Sequence, residues 1–414
     1  MAPTPRAACG FFVVAVAALV VPPALAALAA IALAGAVVVD ALSVRQRPSL
    51  EKDIPKTLVR GRTAAYSIRA TNLSTAIRLR QPAPAGIEIT PQEAERSLTG
   101  TVLARTRGHV DLPGPADRTT GPLKLGRWYH GADAAHQVLV YPDLPAARRL
   151  ALQVRLGLLR NPGSSARGPF GLGTDFESIR DYTPDDDIRQ VNWRATARTG
   201  RPMSNQFRIE QDRDVLLLID AGRLMSAPLG DRDRLDAALD AATAMALVAD
   251  ELGDHCGALA FDSRIRARLP AKRKNGRAVI DALFDLHPTR VESNYELAFR
   301  SLDARKRSLV VVFTDLFDEA AADSLLDAVP VIARRHAVIV AGAEDPDLAQ
   351  IVAAPIQSPY DGFAVEVAKD VLASQRAVIA RLSHAGVRVV EAPPDRLGAR
   401  CVDEYLAVKS RARL

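Results

Sequence analysis

The first forty residues contain a run without a charged side chain, Cys9–Val39, in which nearly every residue from Phe11 onward is Ala, Val, Leu or Ile. As one helix, Phe11–Val39 would extend about 43 Å at ~1.5 Å per residue, which exceeds the ~30 Å hydrocarbon core of a bilayer. Pro22 and Pro23 interrupt a helix near its middle. The run therefore predicts two short transmembrane helices in a hairpin, with one kinked span as the alternative.

Basic residues stand on both sides of the run: Arg6, Arg45, Arg47, Lys52 and Lys56. Positive charge at both ends favours a hairpin whose two ends face the cytoplasm. A cleaved signal peptide is the competing interpretation, because Ala-x-Ala patterns occur around Ala24–Ala30, but the apolar run is too long for a signal sequence. We expect residues 1–48 to anchor the chain in the inner (cytoplasmic) membrane, with the soluble domains in the cytoplasm.

The composition of the whole chain is that of a protein with globular domains. A chain of 414 residues with 48% hydrophobic residues can bury two or three cores. The net charge of +6 is spread out, which indicates a mildly basic, solvated surface. Cys9, Cys256 and Cys401 have neither zinc-site spacing nor the number needed for a disulfide framework, which is typical of a reducing compartment.

Two patterns divide the soluble part. Residues 49–150 contain short, partly alternating segments such as Ala64–Thr71 and Val138–Tyr141, which predict a small all-β, sandwich-like domain. From 214 to 414, apolar strands alternate with amphipathic helices, so that region predicts an α/β domain with a mostly parallel sheet covered on both faces. The predicted strands include Val215–Ile219, Gly257–Phe261, Ser308–Phe313, Ala337–Ala341 and Val387–Glu391.

The connecting segment, 151–213, is rich in charged and aromatic residues. Together with its surroundings it resembles the bacterial family named domain of unknown function 58. The resembling residues are followed by the strand VLLLID and are Phe176, Arg180, Tyr182, Pro184, Asp186, Asp187, Arg189, Trp193, Ala197, Arg198, Phe207 and Glu210. The resemblance implies a von Willebrand factor A-like, Rossmann-type fold in the C-terminal half. It also implies an association with MoxR-type AAA+ ATPases, as an adaptor or chaperone-like assembly factor.

Domains of this fold bind Mg²⁺ through Asp-x-Ser-x-Ser after the first strand, a Thr from a second loop and an Asp from a third, since Mg²⁺ prefers oxygen ligands. Here Asp220 follows the first strand, but Gly222 and Leu224 replace the two serines. Ser293 is the candidate for the threonine position and Asp315 for the third loop. The sequence thus predicts a degenerate, incomplete Mg²⁺ site.

The carboxyl ends of parallel strands meet at one edge of a sheet, and both aspartates follow such strands. We favour a structural role over a metal site, in which Asp220 and Asp315 cap turns or pair with arginines there.

Two interpretations apply to the motif residues Arg180, Tyr182, Asp186, Asp187, Arg189, Trp193 and Arg198. In the first, the segment straps the β domain to the α/β domain, with Tyr182 and Trp193 anchored in apolar pockets and the charged residues in ion pairs. In the second, the segment binds a partner, because Arg, Trp and Tyr are the usual hot-spot residues of interfaces.

Catalytic motifs are missing from the sequence. None of the seven histidines stands in a triad-like or HExxH setting, and no P-loop is present. Acidic residues interrupt the basic ones near Trp193, which disfavours nucleic-acid binding. We expect a protein-binding adaptor and not an enzyme, without a nucleic-acid partner or an evident small-molecule substrate. The alternatives are a metal-dependent hydrolase using Asp220 and Asp315, or a structural cell-envelope protein.

Overall fold

Two compact units, Met1–Tyr141 and Pro142–Leu414, make up the chain. The computed structural model describes residues 1–71, 76–158, 175–183, 186, 188–208, 212–230, 232–302, 306–316 and 319–410, with the backbone alone at 175–177, 189, 206–208 and 319–321. Residues 142–150, expected in the β-rich domain, belong to the second unit, and residues 144–150 form the first part of its first helix.

A helical hairpin opens the first unit. A short strand, β1 (Ala2–Pro3), precedes helix α1 (Pro5–Ala17), and helix α2 (Pro23–Ser43) follows after a turn. α1 ends at Ala17 and α2 begins at Pro23, the second residue of a proline pair that offers no N–H for a continuous helix. With 21 residues and a mean hydropathy of 2.4, α2 is long and apolar enough to cross a membrane, whereas α1 is shorter.

Eleven further strands of this unit form three sheets among the described residues. Their order is β1-β11-β10-β5-β7 in one sheet, β3-β12-β9 in the second and β2-β4-β8-β6 in the third. Alternate residues of the strands face the core, for example Tyr66, Ile68 and Ala70 of β4. The strands are β2 (Leu50–Asp53), β3 (Thr57–Val59), β4 (Thr63–Ala70), β5 (Ala76–Arg80), β6 (Ile87–Thr90), β7 (Glu93–Glu95), β8 (Ser97–Ala104), β9 (Gly108–Leu112), β10 (Ala116–Thr120), β11 (Gly126–His130) and β12 (His136–Tyr141).

The second unit begins with α3 (Leu144–Arg155) and a substructure that we call the motif arm. The arm is an antiparallel pair, β13 (Asp175–Asp181) and β14 (Met203–Arg208), joined through a 3₁₀ turn at Ile188–Gln190 and helix α4 (Trp193–Thr199). Gly200 ends α4 in the left-handed conformation (φ 71°), which glycine adopts without steric cost.

A six-stranded sheet forms the centre of the second unit, in the order β19-β18-β15-β20-β21-β22. All neighbouring pairs are parallel except β18 with β19, which is antiparallel. The strands are β15 (Asp214–Asp220), β18 (His255–Phe261), β19 (Ile265–Arg273), β20 (Leu309–Phe313), β21 (Ala337–Ala343) and β22 (Arg388–Ala392). A separate small pair is formed by β16 (Pro228–Leu229) and β17 (Arg232–Asp233).

Helices cover both faces of this sheet, so its strands are apolar throughout. In β15, Val215, Leu217 and Ile219 face one core, and Leu216 and Leu218 face the other. The first core includes residues of α5 (Arg234–Leu252), α6 (Gly276–Leu283) and α11 (Leu397–Ser410). The second includes residues of α7 (Tyr295–Arg300), α8 (Glu319–Ala333) and α10 (Pro359–His384), while α9 (Pro346–Ala353) precedes α10. The predicted mixed α/β architecture with a largely parallel sheet is confirmed at this level.

Candidate functional sites

The three residues predicted as metal ligands lie at the carboxyl edge of the six-stranded sheet. Asp220 is the last residue of β15, Asp315 stands two residues after β20, and Ser293 lies in the loop before α7. The Asp220 side chain, in a residue that is 1% exposed, accepts a hydrogen bond from the Gly222 N–H at 2.8 Å and another from the Ser293 hydroxyl. The structure thus brings Ser293 and Asp220 into direct contact.

Two hydroxyl groups that the sequence did not single out complete the surroundings of Asp220. The Tyr295 hydroxyl donates to Asp220 Oδ2 at 2.8 Å, and the Thr314 hydroxyl donates to the same oxygen at 2.7 Å. Burial raises the pKa of Tyr295 well above its ordinary value, and the neighbouring Asp220 carboxylate adds to the effect. Tyr295 therefore remains a protonated hydrogen-bond donor.

Asp315 makes an ion pair instead of joining Asp220. Arg234, the first residue of α5, reaches Asp315 Oδ1 at 3.1 Å and Asp345 Oδ2 at 3.1 Å. Both side chains of the Arg234–Asp315 pair are about 5% exposed or less. Burial raises the pKa of Asp315 to about 6, although the Arg234 guanidinium acts in the lowering direction.

This arrangement does not fit Mg²⁺. The Asp220 carboxylate already accepts four hydrogen bonds, and the Asp315 carboxylate is paired with the Arg234 guanidinium. A Cβ atom at Gly222 would collide with the Ser293 hydroxyl, so the space of the lost serine is filled. Among the described residues, no group of three or more His, Cys, Asp or Glu side chains is arranged to hold a metal ion.

In the motif arm, Asp186 organises the turn that follows β13. Its carboxylate accepts hydrogen bonds from both terminal nitrogens of Arg180, from the Thr183 N–H at 2.8 Å and from the Thr183 hydroxyl at 3.0 Å. Burial acts to raise the pKa of Asp186, but the bonds from Arg180 and Thr183 outweigh it and hold this pKa below its ordinary value. The Tyr182 hydroxyl donates to the Asp186 carbonyl at 3.3 Å.

Asn192 fixes the beginning of α4. Its side-chain oxygen accepts the Ala195 N–H at 2.9 Å, which makes it the N-cap, and its amide donates to Asn205 on β14 at 2.7 Å. An N-cap acceptor satisfies one of the free N–H groups of the first helical turn. The helix that carries Trp193 and Arg198 is thereby tied to the neighbouring strand.

The motif arm exposes large apolar side chains among its charged residues. Trp193 is 70% exposed and Ile188 is 69% exposed, so the expectation that Trp193 is anchored in an apolar pocket is not met within the described residues. Arg198 lies in the last turn of the same helix and is exposed. Two predicted motif positions cannot be placed in this surface, because Asp187 and the side chain of Arg189 lie outside the described residues.

Comparisons with known proteins show which proteins this chain is similar to. Uncharacterized proteins of Mycobacterium bovis and of Mycobacterium tuberculosis strain H37Rv are 25% identical over 182 residues, which is 42% of this chain and 56% of theirs. The match thus spans only about half the length of these curated relatives. A crystal structure of an uncharacterized membrane-spanning protein from Vibrio fischeri aligns over 49% of this chain and 100% of its own, at 12% identity. Its TM-score of 0.18 is too low to bear on the fold.

The family model described as protein of unknown function DUF58 matches residues 178–385. That range begins in the motif arm and extends through α10, covering half of the chain. The chain belongs to the DUF58 family.

Proposed function

We propose that this chain is a membrane-anchored adaptor, or chaperone-like assembly factor, that binds protein partners and acts with a MoxR-type AAA+ ATPase. It has no catalytic site of its own in this proposal. The ATPase partnership comes from the resemblance of the motif to its family, and the binding role rests on the surface of the motif arm.

The exposure of Trp193 carries the proposal. Trp193 and Ile188 are large apolar side chains left exposed in a segment that is otherwise rich in charged residues. Trp and Arg are the residues most enriched among interface hot spots, and Arg194, Arg198 and Arg201 are exposed near Trp193 in the chain. The Arg180–Asp186 pair and the Asn192 cap hold this surface in one conformation, which lowers the entropic cost of binding.

The second unit is assigned a von Willebrand factor A-like fold in this proposal. Support comes from its strand order: counted along the chain, the six strands lie in the order 3-2-1-4-5-6, with only the third antiparallel. Domains of this kind bind partners at the carboxyl edge of the sheet. Here that edge carries a hydrogen-bonded Asp220 and an Arg234–Asp315 pair, so partner binding would not proceed through a bridging metal.

The same residues speak against the hydrolase alternative. A hydrolytic carboxylate must be able to reach a metal, a water molecule or a substrate, and Asp220 is buried beneath four hydrogen-bond donors. Asp315 is held by Arg234. Neither carboxylate is in a position to act as a general base.

The proposed location is the inner membrane, with both units in the cytoplasm. Basic residues at both ends of the helical hairpin support this orientation. A reporter fused to the C-terminus tests it: activity of a cytoplasmic reporter agrees with the proposal, and activity of an extracytoplasmic reporter contradicts it.

The partner proposal is tested by purifying the chain from detergent-solubilised membranes with a non-hydrolysable ATP analogue present. Co-purifying chains are quantified by mass spectrometry for three proteins: the native chain, Trp193→Ala, and Phe363→Ala as a control for an equally exposed aromatic residue on α10 (76% exposed). A MoxR-type ATPase should accompany the native chain and the control, and fall at least tenfold with Trp193→Ala. Absence of any AAA+ ATPase from the native sample refutes the partnership, and equal recovery with Trp193→Ala refutes the arm as its surface.

A further inference from the structure

Both ends of the helical hairpin are fixed to the β-rich part of the first unit. At the N-terminal end, β1 pairs with β11, and the Thr4 N–H donates to the Leu125 carbonyl at 2.9 Å. At the other end, Asp40 of α2 accepts hydrogen bonds from the N–H groups of Leu123, Leu125 and Gly126 at 2.8–2.9 Å. The two helices therefore leave and re-enter the β-rich part at the same place.

Docking shortens the part of the hairpin that is available to a membrane. In α2, Val37, Asp40 and Ala41 are buried, and a Cβ atom at Gly126 would collide with the α2 backbone there. No residue of the stretch 23–36 is buried, and it measures about 21 Å at ~1.5 Å per residue. The 13 residues of α1 measure about 20 Å. Each is shorter than the ~30 Å hydrocarbon core that a spanning helix must cross.

The tip of the hairpin is entirely apolar. Leu19 and Val20 are 84% and 90% exposed, and no charged or polar side chain stands between Val13 and Gly35. A tip that crossed to the opposite surface would place these side chains in water or among headgroups. The hydrocarbon core is the environment that matches them.

The backbone of the turn is also suited to hydrocarbon. The N–H groups of Ala18, Leu19, Val20 and Val21 all donate to carbonyls of the last turns of α1, at 2.9–3.2 Å. The next two residues are the proline pair, which has no N–H. Unpaired backbone N–H and C=O groups are costly in the lipid interior, and the four N–H groups of this turn have acceptors.

Residues typical of a membrane interface surround the base of the hairpin. Trp128 and Tyr129 lie on β11, beside the docked end of α2, and Arg45 stacks over the Trp128 ring at 5.9 Å. Arg6 and Lys124 are exposed at the same base. Aromatic and basic side chains concentrate at the headgroup level of membrane proteins, so the base fits that level and the helices above it fit the lipid interior.

We propose that the helical hairpin enters the membrane from one side and ends within the hydrocarbon core, so that neither α1 nor α2 crosses it. In this arrangement the acyl chains of the bilayer surround the exposed apolar side chains of the hairpin. The proposal replaces the expectation of two transmembrane spans with a wedge anchored at both ends. It rests on the membrane attachment proposed above and specifies its depth.

Depth-dependent fluorescence quenching tests the wedge. The full-length chain with Cys9→Ser is reconstituted into phosphatidylcholine–phosphatidylglycerol vesicles, since Cys256 and Cys401 are buried and will not react with a thiol dye. A dye is attached through Leu19→Cys at the tip, Leu28→Cys about halfway along the stretch 23–36 of α2, or Leu123→Cys at the base. Nitroxide lipids carrying the quencher at the headgroup, mid-chain or chain end report the depth of each dye.

A wedge predicts that the tip dye is quenched most by chain-end nitroxides, the halfway dye at a shallower position and the base dye by headgroup nitroxides. A hairpin that crosses the membrane predicts instead that the halfway dye is the deepest and that the tip dye is shallow. That order would overturn the wedge but would leave membrane attachment intact. Quenching of no dye, at any depth, overturns both.

A second measurement uses a charge at the tip. Val20→Asp should lower binding to the same vesicles at least tenfold in a flotation assay, because its carboxylate would have to enter hydrocarbon. Leu123→Asp at the base is the matched control and should bind like the native chain. Unchanged binding of Val20→Asp would mean that the tip reaches water and would overturn the wedge.

Discussion

The hydroxyl of Tyr295 lies 2.8 Å from Asp220 Oδ2 and 2.7 Å from the hydroxyl oxygen of Thr314. Asp220 is the first residue of the incomplete Mg²⁺ site expected from the sequence, and Thr314 comes directly before Asp315, the last residue of that site. Tyr295 of α7 thus connects Asp220, at the end of β15, with Thr314, which follows β20. The edge of the sheet is held together by hydroxyl donors around a buried carboxylate.

Replacing Tyr295 with phenylalanine should destabilise the second unit by about 1–3 kcal/mol, because a buried carboxylate loses one of its donors. Hydrogen exchange of the β15 and β20 amides in the detergent-solubilised chain measures the change. Tyr360→Phe is the control, since that side chain is 80% exposed. Equal protection in Tyr295→Phe and Tyr360→Phe would show that the tyrosine hydroxyl does not support the edge.

Calorimetric titration with Mg²⁺ or Mn²⁺ should give no sub-millimolar binding at the Asp220 edge. The reason is that a metal ion would have to displace hydroxyl donors from Asp220 and the guanidinium from Asp315. Sub-millimolar binding that disappears in Asp220→Ala would contradict this description. Binding that persists in Asp220→Ala would belong to another place on the chain.

The Asp315 carboxyl should make stability depend on pH in mildly acidic solution. Its folded pKa of about 6 lies above the ~3.9 of an unfolded aspartate, so the folded state holds the proton more tightly. The stabilisation from that proton is complete below about pH 4 and is lost as pH rises through 6. The groups that act on it are Arg234, Asp220 and Asp345.

Comparison of the native chain with Asp315→Asn isolates this effect. The unfolding free energy of the native chain, minus that of Asp315→Asn, should fall by about 2–3 kcal/mol between pH 4 and pH 7. Urea unfolding followed by circular dichroism at several pH values provides both quantities. A difference that rises with pH would mean that Arg234, and not burial, governs the carboxyl.

Much of the sheet could be predicted because its strands are apolar on both faces. Runs such as Val215–Ile219 contain no polar residue, which is typical of a strand buried on both faces. The residue at the end of each parallel strand is then the one that reaches the carboxyl edge. The positions of Asp220 and Asp315 follow from that rule. The antiparallel strand β19 was missed, although its alternation of Ile265, Ala267 and Leu269 with basic residues is the pattern of an edge strand.

The partners of those aspartates could not be predicted. Tyr295 is 75 positions from Asp220 in the chain, and Arg234 is 81 positions from Asp315. In the sequence, Tyr295 is one more apolar position of an amphipathic helix, and Arg234 is one more basic residue at a helix start. The exposure of Trp193 was equally hidden, because a tryptophan in a charged segment suits a pocket as well as a surface.

The stability of the second unit should depend on a buried ion pair formed by its last helix, α11. Lys409 of α11 forms an ion pair with Asp254, and the Tyr405 hydroxyl donates to the same carboxylate; the Lys409 and Asp254 side chains are 2% exposed or less. Lys409→Met should destabilise the second unit by about 3–5 kcal/mol, since it leaves a buried carboxylate without its counterion. Urea unfolding checks the value.

The double variant Lys409→Met with Asp254→Asn provides the control for that pair. Removing both charges should recover a large part of the loss, because no buried charge is then left alone. If the double variant is as unstable as Lys409→Met, the loss came from packing of the lysine stem and not from the ion pair.

Asp40 should hold the C-terminal end of the helical hairpin to the β-rich part of the first unit. Asp40→Ala leaves the N–H groups of Leu123, Leu125 and Gly126 without their acceptor at a site that is 2% exposed. We expect a loss of about 2–4 kcal/mol, at a typical 1–3 kcal/mol for each unsatisfied buried group with partial rescue by water. Faster hydrogen exchange of those three amides reports the loss directly.

Asp40→Asn is the control, because it keeps one side-chain oxygen acceptor and should lose less stability than Asp40→Ala. If the two variants exchange alike, and as slowly as the native chain, the hairpin is held by the β1–β11 pairing and by the packing of Val37 and Ala41 against Gly126, and not by Asp40.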